Sequence, residues 1–319
     1  MNDAIEQIRL TGILPVVTLE DSEDAVRIVQ ALHDGGLSCI EITFRTGAAG
    51  DAIAQSVKSG LPLVIGAGTV QNVDQVKQAV DAGARFIVSP GLNRMVVEHC
   101  LKNKIPVLPG VATPTEIERA MEYGLDVLKF FPAEANGGVS YLRAISAPYK
   151  KIRFIPTGGI DESNLLSYLR LPTVLACGGS WMVKADTLAN KRFDEVRTVS
   201  SNAVKIMLGF KLQHLGINSA DAEAAKKTAT FLADILQSET RDTPGSTFIG
   251  SDFEILKSNL YAQHGHFAIG TNSIDRAIAY LERKGIKTKP ETRSEKDGKL
   301  ATVYLDVEVG GFAVHLIQI

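Results

Sequence analysis

From residue 13 to about residue 206, short runs rich in β-branched residues alternate with longer amphipathic stretches, which restricts this part of the chain to a parallel α/β architecture. The expected strands are Ile13 to Thr18, Cys39 to Phe44, Leu63 to Ala67, Phe86 to Ser89, Pro106 to Pro109, Val127 to Phe131, Arg153 to Pro156 and Val174 to Cys177. Helical patterns lie between them, as in Ser22 to Asp34, Val73 to Ala82, Pro114 to Tyr123 and Glu162 to Arg170. Asp21 and Asp161 stand before helices as caps, and Gly35, Gly83 and Gly124 follow helices as stops. About eight strand-helix units in roughly 200 residues is the count of a closed (β/α)8 TIM barrel rather than an open sheet, and such a barrel places its chemistry at the C-terminal ends of its strands.

Polar residues and glycines do gather at those ends. The second strand runs out through Glu41-Ile42-Thr43-Phe44-Arg45-Thr46, the third through Gly66-Ala67-Gly68-Thr69 and the fourth through Ser89-Pro90-Gly91. The fifth gives Pro109-Gly110, the sixth carries Lys129, the seventh gives Pro156-Thr157-Gly158-Gly159 and the eighth Gly178-Gly179-Ser180. Period-two alternation puts Glu41, Thr43 and Arg45 on one face, and the apolar Ile40, Ile42 and Phe44 on the face that meets the outer helices. The polar set therefore points into the barrel.

Lys129 sits in Val127-Leu128-Lys129-Phe130-Phe131-Pro132, an apolar strand ended by proline. Burial strips water from an ammonium group and favours the free amine, the nucleophile that Schiff-base chemistry on a ketone requires. A lysine that snorkels from a strand end or pairs with Glu134 is the alternative. Glu41 and Arg45 at the same mouth suit acid-base work and carboxylate recognition, although a structural ion pair also accounts for such a couple. The glycine pairs after the seventh and eighth strands offer backbone amides where phosphate groups bind in these barrels.

The 319 residues carry a formal charge of −2, with a calculated pI of about 6.3. That balance gives no electrostatic footprint for nucleic acid or an anionic membrane, so small-molecule ligands are expected. Cys39, Cys100 and Cys177 are widely spaced in apolar settings and read as packing residues. The opening Met1-Asn2-Asp3-Ala4-Ile5-Glu6 lacks a basic start followed by an apolar core, and no apolar run approaches membrane-spanning length, so a cytoplasmic location is expected.

Taken together, Glu41-Ile42-Thr43-Phe44-Arg45-Thr46, Gly66-Ala67-Gly68-Thr69-Val70, Ser89-Pro90-Gly91, Lys129-Phe130-Phe131-Pro132-Ala133-Glu134, Pro156-Thr157-Gly158-Gly159-Ile160 and Gly178-Gly179-Ser180-Trp181 closely resemble the class I 2-dehydro-3-deoxy-6-phosphogluconate (KDPG) aldolases, also called 4-hydroxy-2-oxoglutarate (KHG) aldolases. The resemblance runs in order from residue 1 to about residue 206. It implies that Lys129 forms the Schiff base and Glu41 moves protons, with Arg45, Thr69, Pro90, Phe131 and Thr157 around the substrate and Gly158, Gly159, Gly179 and Ser180 on its phosphate. The implied products are pyruvate with D-glyceraldehyde 3-phosphate, or pyruvate with glyoxylate from the shorter substrate. No cofactor or metal is implied for the barrel, and a homotrimer is. Trp181 is open to stacking in the site or packing in the core. The alternative, a barrel that binds phosphosugars without catalysis, predicts loss of the lysine or glutamate, and both are present.

The pattern changes after a final helix, Phe193 to Leu208, so the barrel is assigned to residues 1–209 and a smaller α+β domain to 210–319. Leu212-Gln213-His214-Leu215-Gly216-Ile217-Asn218-Ser219 is echoed by Gly265-His266-Phe267-Ala268-Ile269-Gly270-Thr271-Asn272-Ser273. Each is followed by a helix, Ala222 to Leu236 or Ile274 to Lys284, and then by strands. These paired βαβββ modules resemble the glyoxalase/bleomycin-resistance (vicinal oxygen chelate) superfamily, in which a metal can sit between modules. The resemblance implies His214, Glu254, His266 and His315 as candidate ligands, a set able to bind zinc, nickel or iron. His315 replaces the usual closing carboxylate of the second module, and members without metal exist. An accessory or assembly role is the main expectation for this domain, and a second, metal-dependent activity the alternative.

Overall fold

The structure, a computed structural model, describes residues 2–319. The chain divides into two compact units, the first ending at Met207 and the second running Leu208–Ile319. No helix among the described residues is long and apolar enough to cross a membrane.

In the first unit the strands are β1 (Ile13–Val17), β2 (Cys39–Thr43), β3 (Val64–Gly68), β4 (Ile87–Ser89), β5 (Val107–Val111), β6 (Val127–Phe130), β7 (Arg153–Pro156) and β8 (Cys177–Gly179). They form one sheet in the order β7-β6-β5-β4-β3-β2-β1-β8, with the paired strands parallel. Parallel bridges Phe154↔Val174 and Thr157↔Gly178 join its two ends, so the sheet closes as the (β/α)8 barrel the sequence implies. The helix Asp3–Thr11 packs Ala4, Ile5 and Ile8 into one buried cluster with Leu14, Cys39, Val88, Leu108, Val127 and Ile155. The N-terminal half of the barrel interior is thus an apolar plug. Glu41 and Lys129 lie beyond this plug, toward the opposite end.

Three local expectations shift. The eighth strand is Cys177–Gly179 rather than Val174 to Cys177, because pairing with β1 begins at Ile13↔Cys177 while Val174 makes only an isolated bridge. Asp21 and Asp161 accept from the amides of Glu23 and Ser163 and cap turns, their helices starting later at Ala25 and Leu165. After the helix Ala25–Asp34 the left-handed residue is Gly36 (φ 95°), while Gly35 is helical at φ −71°. Gly35 serves close packing: a Cβ there would lie 2.4 Å from Ser200 Cβ.

The second unit holds β9 (Lys211–Asn218), β10 (Thr240–Asp242), β11 (Ser246–Ile249), β12 (Phe253–Leu256), β13 (Gly265–Thr271), β14 (Ser294–Lys296), β15 (Lys299–Val309) and β16 (Phe312–Gln318). Its sheet runs β10-β11-β12-β9-β13-β16-β15-β14. β12 lies parallel to β9 as β16 does to β13, and the two halves meet where β9 pairs antiparallel with β13. With helices Ala222–Leu236 and Ile274–Arg283 after β9 and β13, each half is a βαβββ unit.

Candidate functional site

The alternation in β2 buries Glu41 and Thr43 at 1% and 0% exposure, and Ile40 and Ile42 are buried on the opposite face. Lys129 lies on β6, in register with Gly110 on one side and Ile155 on the other, and is 6% exposed. Its Nζ donates to Glu41 Oε1 at 3.2 Å and stands 5.2 Å from the centre of the Phe131 ring. Glu41 Oε2 is buried and has no hydrogen-bond partner among the described residues. A carboxylate with one oxygen on the lysine and the other open can pass a proton between that amine and a third group. Glu134, the alternative partner for the lysine, instead accepts from the Tyr168 hydroxyl, while its amide donates to Gly158 O at 3.0 Å.

Glycines make the room. A Cβ on Gly68 would lie 2.1 Å from Glu41 Oε1, one on Gly66 would lie 2.2 Å from the Phe86 ring, and one on Gly110 would lie 2.1 Å from Pro90 O. The glycines at the strand ends thus let the Glu41 carboxylate and the Pro90 turn occupy space that any other residue would fill.

Outside the lysine opens a cleft of about 650 Å³ whose lining includes Arg45, Phe131, Thr157, Gly158, Gly159, Gly179 and Ser180. Gly158 and Gly159 take φ of 100° and 79°, a region glycine alone enters readily. Thr157 is buried over Gly178, where a Cβ would come within 2.3 Å of Thr157 Oγ1. Trp181 lies against Gly179 at 9% exposure and also lines the cleft, so it both packs and faces the site. Two expected residues stand apart from this lining. Pro90 borders a separate hollow with Val70, Ser89, Gly91 and Asn93, and Thr69 follows β3 with φ 54°. The sequence offered no signal for Thr18, bonded to Thr43 Oγ1 at 2.8 Å, or for Asp161 and Lys184, which also line the cleft.

In the second unit, ring or carboxylate atoms of His214, His266 and Glu254 form a near-equilateral triangle: His214 Nε2 to His266 Nε2 is 3.2 Å, and Glu254 Oε2 lies 3.3 Å from the first and 3.2 Å from the second. His315 joins them, the three histidines each offering a nitrogen within 4.8 Å of the others. Burial works against ionising Glu254, yet hydrogen bonds with His214, His266 and Ser246 hold its carboxyl well below the usual range. Burial, with His266 and His214 alongside, pushes His315 down to about 4, leaving it a neutral imidazole at neutral pH. Its Nε2 is buried with no hydrogen-bond partner among the described residues. Donors on a tetrahedral ion with bonds of ~2.0–2.1 Å stand roughly 3.3 Å apart, the spacing of this triangle. Gly216 makes the centre possible, since a Cβ there would lie 2.2 Å from the His266 ring.

The family model "KDPG and KHG aldolase" matches residues 4–199. A 2-dehydro-3-deoxy-phosphogluconate aldolase of Treponema pallidum is 49% identical over 205 residues, 64% of this chain and 96% of that protein. The KHG/KDPG aldolase of Escherichia coli K12 is 43% identical over 63% of this chain and 94% of its own length. Among solved structures, the KDPG aldolase of Legionella pneumophila, with pyruvate captured as a covalent carbinolamine intermediate, superposes with a TM-score of 0.61 at 35% identity, covering 63% of this chain and 98% of that one. With its closed barrel, a buried lysine-glutamate pair and a matching family model over more than half its length, the chain belongs to the KDPG and KHG aldolase family.

Proposed function

We propose that the barrel cleaves KDPG to pyruvate and D-glyceraldehyde 3-phosphate, and KHG to pyruvate and glyoxylate, through a Schiff base on Lys129. The observation that carries this is the 3.2 Å contact between Lys129 Nζ and Glu41 Oε1 inside the barrel, with Glu41 Oε2 left open. Glu41 takes a proton from the lysine, and the freed amine attacks the C2 ketone to give a carbinolamine. Loss of water, with Glu41 returning the proton to the departing hydroxyl, leaves an iminium at C2. Removal of the proton from the C4 hydroxyl lets the C3–C4 bond break: the aldehyde leaves, and the electron pair of that bond moves into an enamine. Protonation at C3 and hydrolysis then release pyruvate and restore the amine. Arg45 is assigned to the carboxylate, Phe131 to the pocket wall, and Gly158, Gly159, Gly179 and Ser180, with Thr157 beside them, to the phosphate. The parts given to Thr69 at the carboxylate and Pro90 at the wall rest on the family resemblance alone, since both lie outside the lining of this cleft. By resemblance we place the enzyme in the cytoplasm as a homotrimer; light scattering of the purified chain tests the assembly.

Borohydride trapping with pyruvate, followed by peptide mass mapping, tests the mechanism. A reduced adduct on Lys129 is expected. An unmodified folded protein, or an adduct confined to another lysine, would overturn the assignment and favour a barrel that binds phosphosugars without catalysis.

For the second unit the triangle of His214, His266 and Glu254, with His315 beside it, supports a divalent-metal site. A bound zinc, nickel or iron ion there would supply a Lewis acid. Elemental analysis of the purified full chain is expected to find about one ion per chain, and His266→Ala to lose it.

A further inference from the structure

The cleft outside Lys129 carries three charged side chains among its lining residues, and they bear on which substrates it prefers. Arg45 stands beyond the end of β2, while Asp161 and Lys184 belong to the loops after β7 and β8, on the side of the glycine pairs. Asp161 is fixed in place: its carboxylate accepts from the amide of Ser163 at 2.8 Å and from the Ser163 hydroxyl, and its own amide donates to Asn164 Oδ1 at 3.0 Å. These bonds, with the charge of Lys184 contributing, hold the Asp161 carboxyl below its usual range, so it remains an anion. Lys184 is exposed, and none of the salt bridges found among the described residues includes it.

A phosphate monoester carries between one and two negative charges at neutral pH. Seated on Gly158, Gly159, Gly179 and Ser180 it would meet backbone amides, which are dipoles without net charge, and the fixed anion Asp161 nearby. The amides alone leave that repulsion standing. A flexible ammonium from the same wall offsets it, and Lys184 is the cation on that side of the cleft. We infer that Lys184 is a specificity-determining residue, closing on the phosphate of the longer substrate and doing nothing for the unphosphorylated one. The inference rests on the aldolase reading above and adds to it a preference between the two substrates. Lys184 also borders a neighbouring cleft of about 390 Å³ with Glu162 and Glu195, and a purely structural role there is the rival account.

The test uses the full chain and measures kcat/KM for KDPG and for KHG in the parent, Lys184→Met and Lys184→Arg. Lys184→Met is expected to lower the KDPG-to-KHG ratio of kcat/KM about tenfold, mainly through KM for KDPG, with Lys184→Arg restoring most of it. The parent's KDPG rate is expected to fall with added salt more steeply than that of Lys184→Met. A ratio unchanged in Lys184→Met, or both substrates losing equally together with a lowered melting temperature, overturns the inference. If the parent cleaves neither substrate and traps no pyruvate, the aldolase reading itself fails, an outcome the parent alone reveals.

Discussion

Gly68 shows how single residues set the geometry of the lysine-glutamate pair. It faces Thr43 across β2 and β3, and a Cβ on it would lie 2.1 Å from Glu41 Oε1 and 2.5 Å from Glu41 Cγ. Gly68→Ala should therefore push the carboxylate away from Lys129 Nζ while leaving the backbone unstrained. Turnover is expected to fall by about 10²-fold, whereas Gly91→Ala, at a position with nothing within 4 Å of an added Cβ, should be neutral. Steady-state cleavage of KDPG, with circular dichroism to verify folding, distinguishes the two. Glu41→Gln keeps the volume and loses the titratable oxygen, so kcat should drop by about 10²–10⁴-fold. Pyruvate should still be trapped on Lys129 in that variant, but slowly. An undiminished kcat in Glu41→Gln would remove the glutamate from the proton path. Alternation along β2 was enough to point Glu41 inward. The need for glycine against its carboxylate, at the position paired with Thr43, was not legible, because it depends on the register between two strands and not on either strand alone.

Among the elements, helices and strands announce themselves through different signals, and their ends differ accordingly. Phe193–Leu208 and Ala222–Leu236 fall at the limits that periodicity predicts. The helix Pro114–Glu122 begins with a capping box, Thr113 Oγ1 accepting from the Glu116 amide and the Glu116 carboxylate accepting from the Thr113 amide. Thr113→Ala is expected to cost about 1 kcal/mol, read as a lower denaturant midpoint with an unchanged slope. Helices opened by a turn, as after Asp21 and Asp161, start later than the aspartate suggests, since the side chain is engaged two residues on. The eighth strand was misplaced for a related reason: its pairing is carried by two glycines, which have no β-forming signature of their own. The helix Arg94–Lys102 buries Cys100 beside Val96 and Val97, and burial pushes that thiol up to about 12 from 9.0. The unfolded thiol ionises first as pH rises, so the stability this group contributes is intact below pH 9 and is lost progressively toward about pH 12. Equilibrium unfolding between pH 8 and 11 should accordingly fall less steeply in Cys100→Ala than in the parent, by up to ~1.4 kcal/mol per pH unit.

At the scale of the whole molecule, two βαβββ halves and a (β/α)8 barrel share one chain but bring together different sets of polar side chains. The barrel was legible because its candidate site residues recur at predictable places, the ends of successive strands. In the second unit His214, Glu254, His266 and His315 were legible as one candidate ligand set through the resemblance of the paired modules, but the strand pairing that assembles them was not. His214 and His266 come together only because β9 and β13 pair antiparallel with His266 opposite Gly216, and Glu254 reaches them only because β12 pairs parallel to β9, also opposite Gly216. The lysine-glutamate pair needs no ion, whereas the histidine cluster as described is a set of donors at ligand spacing. Exhaustive dialysis against a chelator should thus leave KDPG cleavage unchanged. Zinc added back at about 100 times its dissociation constant should stabilise the folded second unit by ~2.7 kcal/mol through binding alone. Differential scanning calorimetry would show this as an upward shift of an unfolding transition in the parent and none in His266→Ala. Loss of KDPG cleavage on chelation, restored by zinc, would instead mean that the barrel's turnover depends on a bound ion, and the division of chemistry between the two units would have to be withdrawn.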